Sequence, residues 1–322
     1  MTGETLSSDP EQPIHRRRAR HGWLRMFGVG LTLWVLSALA TYLTGNPNLI
    51  PTLVLLGSFL VPVTFVAWAF EQRESGEITA DLVFRTFLVG GVLGVLGASV
   101  LETYLLHPSP WLYVGVGLIE EAVKLIALAV LTRRLAVKSI RDGMILGATV
   151  GFGFAAFEAA GYAFTAVLTP QGLSLEQLVT TELLRGLLIP VGHGLWTAIL
   201  GGVLFAWSTR SHFVLTGRLV LTFLGVSLLH ALWDSTSTIA AVITLLLTGE
   251  PWQYEMLDRG WLVEPTATQV TLYTTLSWLG LALVGVIGLL WLWALVLRSR
   301  RHRHGTPLAR VRRLPTRTPT EL

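Results

Sequence analysis

Ile119-Glu120-Glu121-Ala122-Val123-Lys124 lies in the middle of an apolar run from Trp111 to Leu131. About 20 residues at ~1.5 Å rise cross the ~30 Å hydrocarbon core of a bilayer, so this run is long enough to span one. Two adjacent carboxylates and an ammonium at that depth cost roughly 2.5–3.5 kcal/mol each at a helix centre. Groups of this kind face a protein interior and mark a functional site. Glu120 and Lys124 stand four residues apart with the glutamate on the N-terminal side, the better orientation for an ion pair. Lys124 is therefore expected to neutralise Glu120. Glu121 projects ~100° further round the helix and is left without a partner on its own helix.

The rest of the chain has the same character. Of its 322 residues 52% are hydrophobic and 14% charged, far below the ~25% charged of a soluble domain, and the mean hydropathy is +0.60. Apolar runs cover Trp23–Leu43, Ile50–Phe70, Phe84–Leu106, Trp111–Leu131, Gly143–Leu168, Leu183–Trp207, Leu219–Leu247 and Thr271–Leu297, separated by breakers such as Gly45-Asn46-Pro47 and His107-Pro108-Ser109-Pro110. The expected fold is all-α, a polytopic membrane bundle of about eight transmembrane helices. The chain divides into a disordered basic tail (1–22), a membrane-embedded domain (23–298, with a motif-bearing core at 110–240) and a second basic tail (299–322). No cysteine is present, which excludes disulfides and thiolate chemistry.

Charge sets the expected orientation. If the helices alternate, 21 of the 24 basic residues fall on one side, and Lys124, Arg185 and Arg259 are the exceptions. The opposite loops are neutral or acidic, with Glu176, Glu182, Glu250, Glu255, Asp258 and Glu264. Positive charge stays inside, so both termini are expected in the cytoplasm and the protein in the cell membrane. This placement accounts for the pI near 9.8 without nucleic-acid binding. Trp252, Tyr254 and Trp261 suit an interfacial loop on the outer leaflet.

Three further spans carry ionisable groups well inside. These are Glu158 after Phe154, His193 after Pro190, and His230 with Asp234. Glu121, Glu158 and His193 each lie ~10 residues from the outer end of their helix, and Asp234 and His230 ~13 and ~17, so all fall within about two helical turns in depth. Each has a structural reading of its own: a bond to a neighbouring helix for Glu158, a carbonyl freed by the Pro190 kink for His193, and a helix-internal pair for His230–Asp234. Their shared level points instead to one convergent site. Gly115, Gly117, Gly151, Gly153, Gly161, Gly192 and Gly194 would let the helices close around it.

Carboxylates and imidazoles of this kind suit hydrolysis by an activated water. Glu121, Glu158, His193 and His230 are candidate ligands for a divalent metal, with zinc the expected ion. Without a metal, Glu120 or Glu121 would deprotonate the water and the histidines would donate to the oxyanion. Asp234 would orient His230 or complete the oxyanion-binding side.

Glu120-Glu121-x-x-Lys124, Phe154-x-x-x-Glu158 and His230-x-x-x-Asp234, in this order on successive helices, resemble the PrsW intramembrane proteases, relatives of the CAAX-prenyl proteases and bacteriocin-immunity proteins. His193 fits the wider superfamily. CAAX-type enzymes carry Glu-Glu-x-x-x-Arg and a histidine in place of Glu158, so the likeness is to the PrsW side. The resemblance implies an endopeptidase that cuts membrane proteins, with a single-span anti-sigma factor as one substrate type, and leaves metal-dependent and glutamate mechanisms both open. A proton- or ion-coupled transporter would be expected to show repeat symmetry, which is not found. An inactive scaffold would be expected to have lost a motif residue, and none is missing.

Overall fold

The computed structural model describes residues 21–304 apart from 74, 75, 137, 209–211 and 262, so most of both expected tails lies outside the described residues. Ten α-helices follow one another: α1 Gly22–Thr44, α2 Ile50–Glu71, α3 Ala80–Leu105, α4 Leu112–Thr132, α5 Ile140–Val167, α6 Leu175–Leu188, α7 His193–Ala206, α8 Gly217–Thr248, α9 Pro251–Asp258 and α10 Ala267–His304. Among the described residues the only strands are two residues each, Leu168–Thr169 and Gly172–Leu173, paired as a hairpin between α5 and α6. Seven helical segments are long and apolar enough to cross a membrane, with α6 and α7 counted together as one. The 21-residue α4 carries three charges and is also membrane-length, which brings the number to the expected eight. Together they form the all-α polytopic bundle.

Several boundaries differ from expectation for local reasons. The sixth apolar run was expected to begin at Leu183, but α6 begins at Leu175, where the Ser174 side chain accepts from Gln177 N. Glu182, expected in an outer loop, is therefore inside α6 and buried, accepting a 2.6 Å bond from Trp34 Nε1. The same span breaks at a 3-10 turn over Ile189–Val191, where Pro190 has no N–H to continue the helical ladder. The connection between α8 and α10 contains α9, whose cap pairs Glu250 with Gln253, and Gln253 and Gln269 bond each other to tie it to α10. Trp252, Tyr254 and Trp261 there are exposed. At the C-terminal end α10 continues past 299 to His304.

The core of the bundle is α5 against α7. Every residue from Asp142 to Ala156, and every residue from Gly194 to Phe205, is buried. Glycines make the approach possible. Gly143, Gly147 and Gly151 recur every fourth residue, so they share one face of α5. A Cβ on them would collide with the carbonyl oxygens of Gly201, Thr197 and His193 respectively. This is the small-residue seam of membrane helix pairs. On another face of α5, Gly153 meets the Phe87 carbonyl and Gly91 of α3. Of the glycines expected to serve this purpose, Gly117, Gly151 and Gly153 lie against neighbouring backbone and Gly194 against the Phe152 ring, whereas Gly115 meets only the Leu106 side chain, Gly192 has nothing nearer than 3.8 Å, and Gly161 faces open space.

Helix α4 has inverted polarity. Its buried face is Gly117, Glu120, Glu121, Lys124, Leu128 and Thr132, while Ile126 and Val130 are exposed. In lipid the apolar face lies outside and the ionised stripe inside, the reverse of a soluble amphipathic helix. Gly117 packs on the backbone of α8 at Ser227 and Ala231, which brings the α4 carboxylates within reach of His230.

Candidate active site

Lys124 is the centre of the polar cluster. Its side chain is fully buried. Nζ donates to Glu120 Oε2 at 2.8 Å and Glu121 Oε1 at 2.9 Å, and stands 2.8 Å from Nδ1 of His193. The Phe154 ring lies beneath it, 3.9 Å from Nζ to the centroid. The expected Glu120–Lys124 pair is present, but Glu121 is not left without a helix partner. Residues three apart also face each other on a helix, and Lys124 bridges both carboxylates.

Two carboxylate–histidine pairs flank this centre. His230 Nδ1 stands 3.1 Å from Glu121 Oε1, and its Nε2 stands 3.3 Å from Asp234 Oδ2 and 3.7 Å from Glu120 Oε2. Nε2 of His193 stands 3.0 Å from Glu158 Oε2, and its Nδ1 lies 3.8 Å from Glu120 Oε2. The 3-10 turn after Pro190 and the packing of Gly151 on the His193 carbonyl fix His193 at the first residue of α7. Trp196, one turn further along α7, holds both rings: it stacks near His230 with centroids 4.6 Å apart and stands edge-on to His193 at 5.3 Å. The two imidazoles are themselves 4.9 Å apart. All six residues read as catalytic candidates, Glu120, Glu121, Glu158, His193, His230 and Asp234, thus come together from four helices.

Arg185 of α6 donates to Glu158 Oε2 and lies over the Tyr162 ring. Sequence reasoning set Arg185 aside as a stray basic residue. An arginine inside an apolar run carries the same signal as the intramembrane glutamates, and that signal would have found it. Glu102 of α3 has its Oε1 buried without a hydrogen-bond partner.

Exposure grades across the cluster. The side chains of Glu121, Lys124 and His230 are at most 1% exposed, whereas Glu158, Arg185 and Asp234 are at 21%, 25% and 27%. The site is sealed on the α4 side and opens at Glu158, Arg185 and Asp234, which come from α5, α6 and α8. A substrate group would approach from there.

Charge and donor chemistry test whether a metal fits. Four carboxylates, Glu120, Glu121, Glu158 and Asp234, meet two fixed cations, Lys124 and Arg185. With neutral imidazoles the cluster has two negative charges in excess, which one divalent ion or two imidazolium protons would cancel. Glu120, His193 and His230 each offer one ligand atom, all within 4.8 Å of one another. Nitrogen and oxygen ligands at ~2.0–2.2 Å from a common ion are the donor set of zinc-type sites. Glu121 and Glu158, expected among the ligands, stand instead behind His230 and His193. There a carboxylate orients a ligating imidazole and directs its other nitrogen inward. The residues fit a divalent ion, with one condition: Lys124 Nζ now bonds Glu120 Oε2 and stands at His193 Nδ1, two of the three ligand atoms.

A helix bundle closed over ionised carboxylates and imidazoles, with one side open to a substrate, has the construction of a membrane-embedded hydrolase. Residues 79–254, more than half of the chain and spanning α4 through α8, match the family model of the PrsW family intramembrane metalloproteases. The chain belongs to this family: it is a multi-pass membrane enzyme, an intramembrane protease whose substrates are membrane proteins. No curated protein and no solved structure matches it.

Proposed function

We propose that this cluster hydrolyses a peptide bond of a membrane-protein substrate with Glu120 Oε2, His193 Nδ1 and His230 Nε2 holding a divalent ion, zinc by donor type. One observation carries the reading: two carboxylate–histidine pairs, Glu121–His230 and Glu158–His193, each leave the other imidazole nitrogen within 3.8 Å of Glu120 Oε2. An ionised carboxylate only accepts, so Glu121 takes the Nδ1–H of His230 and Glu158 takes the Nε2–H of His193, which leaves the inward nitrogens with their lone pairs. The ion would supply Lewis acidity and bring a water's pKa toward neutrality. Lys124 bonds both Glu120 and Glu121 and holds them side by side. Arg185 holds Glu158 against His193, and Asp234, at the open side, would take the proton of the attacking water and return it to the departing amine.

A second reading has its own support. Lys124 already supplies a cation to Glu120 and His193. With His193 Nδ1 accepting from Lys124, Glu120, which is 8% exposed where Glu121 is 0%, would be the base of a metal-free glutamate mechanism. Metal analysis of purified protein separates the two, alongside cleavage of a single-span substrate by wild type, Glu120→Gln, His193→Ala and His230→Ala. The metal reading expects about one equivalent of bound ion, lost in each variant together with cleavage. Cleavage that survives exhaustive chelation in metal-free protein leaves the glutamate reading. Normal cleavage by all three variants removes both.

The substrate we propose is a single-span protein of the anti-sigma-factor type, cut near the outer side. The basic residues of the α2–α3, α4–α5 and α7–α8 connections and of the two tails support both termini in the cytoplasm of a cell-membrane protein, with 23–298 as the embedded catalytic domain. Reporter fusions that place residues 250–270 in the cytoplasm would refute this orientation.

A further inference from the structure

A cavity of about 350 Å³ lies between α8 and α10. Asp234, Thr236 and Ser237 of α8 form one wall, and Tyr273, Thr274 and Ser277 of α10 the other. Asp234 belongs to both cavity and cluster, since its Oδ2 is 3.3 Å from His230 Nε2. The cavity therefore begins where the cluster opens.

Its wall chemistry is unusual for a seam between membrane helices. Five hydroxyl side chains face one small space. The Thr236 hydroxyl is taken up by the Leu232 carbonyl at 2.7 Å, but Ser277 Oγ is buried without a hydrogen-bond partner. A membrane-spanning substrate poses a matching problem. In a helix its N–H and C=O groups are all bonded internally, and releasing them in lipid costs several kcal/mol each. A scissile carbonyl must nevertheless leave that ladder to be attacked. Hydroxyls both donate and accept, so this wall can pair the groups of an unwound segment.

The seam also lies at the outside of the bundle. Here α10 rests on small contacts, with Gly280 against Thr236 and Gly285 against Val191, and much of its surface faces outward at Leu279, Leu283 and Val286. We infer that the cleft between α8 and α10 is the lateral port by which a membrane-spanning segment of the substrate reaches the cluster, and that the segment lies in this cavity in extended form with its backbone paired to the wall hydroxyls. The inference rests on the protease reading of the cluster and adds to it a route from the lipid. The volume lies within the roughly 300–1,000 Å³ of ligand sites.

The test uses the full chain in vesicles. The probe is a synthetic single-span peptide: a leucine–alanine segment broken at its centre by Gly-Pro, with a benzophenone beside the break. Photoadducts are expected on 233–237 and 273–281, in higher yield than with an unbroken segment. The chain has no cysteine, so Thr236→Cys with Gly280→Cys introduces its only thiols. A Cβ at Gly280 would lie 3.6 Å from Thr236 Cβ, inside the ~3.5–4.5 Å range of disulfides. Oxidation should staple the port and lower adduct yield by about tenfold, the equivalent of ~1.4 kcal/mol, with recovery on reduction. Ser277→Phe fills the cavity without a crosslink and should lower the yield in the same direction. Adducts spread equally over α1 and α3, or a yield indifferent to both the staple and Ser277→Phe, would overturn the port. Glu120→Gln separates the two claims: adducts that persist in it while cleavage is lost support both. Adducts that form as expected while Glu120→Gln still cleaves leave the port standing and remove the assigned chemistry.

Discussion

Replacing Lys124 by methionine tests the centre of the site, because the two side chains have similar length and only the charge is removed. Wild-type Nζ has three polar partners at 2.8–2.9 Å and an aromatic ring below it, with no exposure to solvent. Deleting one partner of a buried ion pair costs roughly 3–5 kcal/mol, because the other charge stays buried and uncompensated. Here two carboxylates are left. Loss of the cation–π contact adds up to about 2 kcal/mol when desolvated, and a methionine–aromatic contact returns roughly 0.3–1.5. The expected net loss is about 3–5 kcal/mol, read from reversible unfolding in mixed micelles. The same substitution frees Glu120 Oε2 and His193 Nδ1, so the variant should bind zinc more tightly than wild type. Saturating ion should then restore part of the loss, about 2.7 kcal/mol at a hundredfold excess over Kd. Adding Glu120→Gln to Lys124→Met should also recover stability, since it removes one of the unpaired charges. A loss under about 1 kcal/mol, or zinc that stabilises the variant no more than wild type, would refute the idea that the ammonium and the ion use the same ligand atoms.

Other substitutions probe the supports of the site. Gly147→Val places a branched side chain against the Thr197 carbonyl; overpacking of this kind costs roughly 1–3 kcal/mol or more, and thermal unfolding with parallel loss of cleavage is the check. Glu121→Gln keeps the shape behind His230 and removes its charge, so ion affinity measured by metal titration should fall by about 10–100-fold. Trp196→Ala removes a fully buried ring that holds both imidazoles and should cost roughly 3–5 kcal/mol, whereas Trp196→Phe should keep most of the stability. Trp34→Phe removes the donor to buried Glu182 Oε2 and should cost about 1–3 kcal/mol in the same unfolding assay, with cleavage retained in the folded fraction.

The spans were readable because a membrane helix needs about 20 apolar residues, and such runs stand out in any sequence. The polar cluster was readable for the complementary reason: Glu120, Glu121, Glu158, His193, His230 and Asp234 interrupt those runs. Two kinds of information were not in the pattern. The start of α6 was hidden because Glu176, Gln177, Thr180, Thr181 and Glu182 give it the composition of a loop, although it packs Leu178 and Glu182 into the bundle. The division of labour within the cluster depends on how five helices are rotated against one another. Depth along a helix places Glu120 and Glu121 together, but only the close contact of Gly117 with α8 turns Glu121 toward His230 Nδ1 and Glu120 toward Nε2. Of the Gly143–Gly147–Gly151 seam only Gly151 was singled out, although glycines at every fourth position of an apolar run are themselves a signal of close helix packing.

The same contacts explain why so many charges are tolerated in one place. Lys124 cancels one of the two α4 charges from within the helix, and Arg185 cancels that of Glu158 from the opposite wall. The two remaining negative charges are one of the α4 pair and that of Asp234, all of them beside His230. A divalent ion there would balance the site with both histidines neutral, whereas without one the balance would have to come from added protons. The two mechanisms therefore differ in what occupies the space between His193, His230 and Glu120, and they share the surrounding scaffold. This is why Lys124 is informative: its ammonium is the group that a bound ion must displace and that a metal-free mechanism must retain.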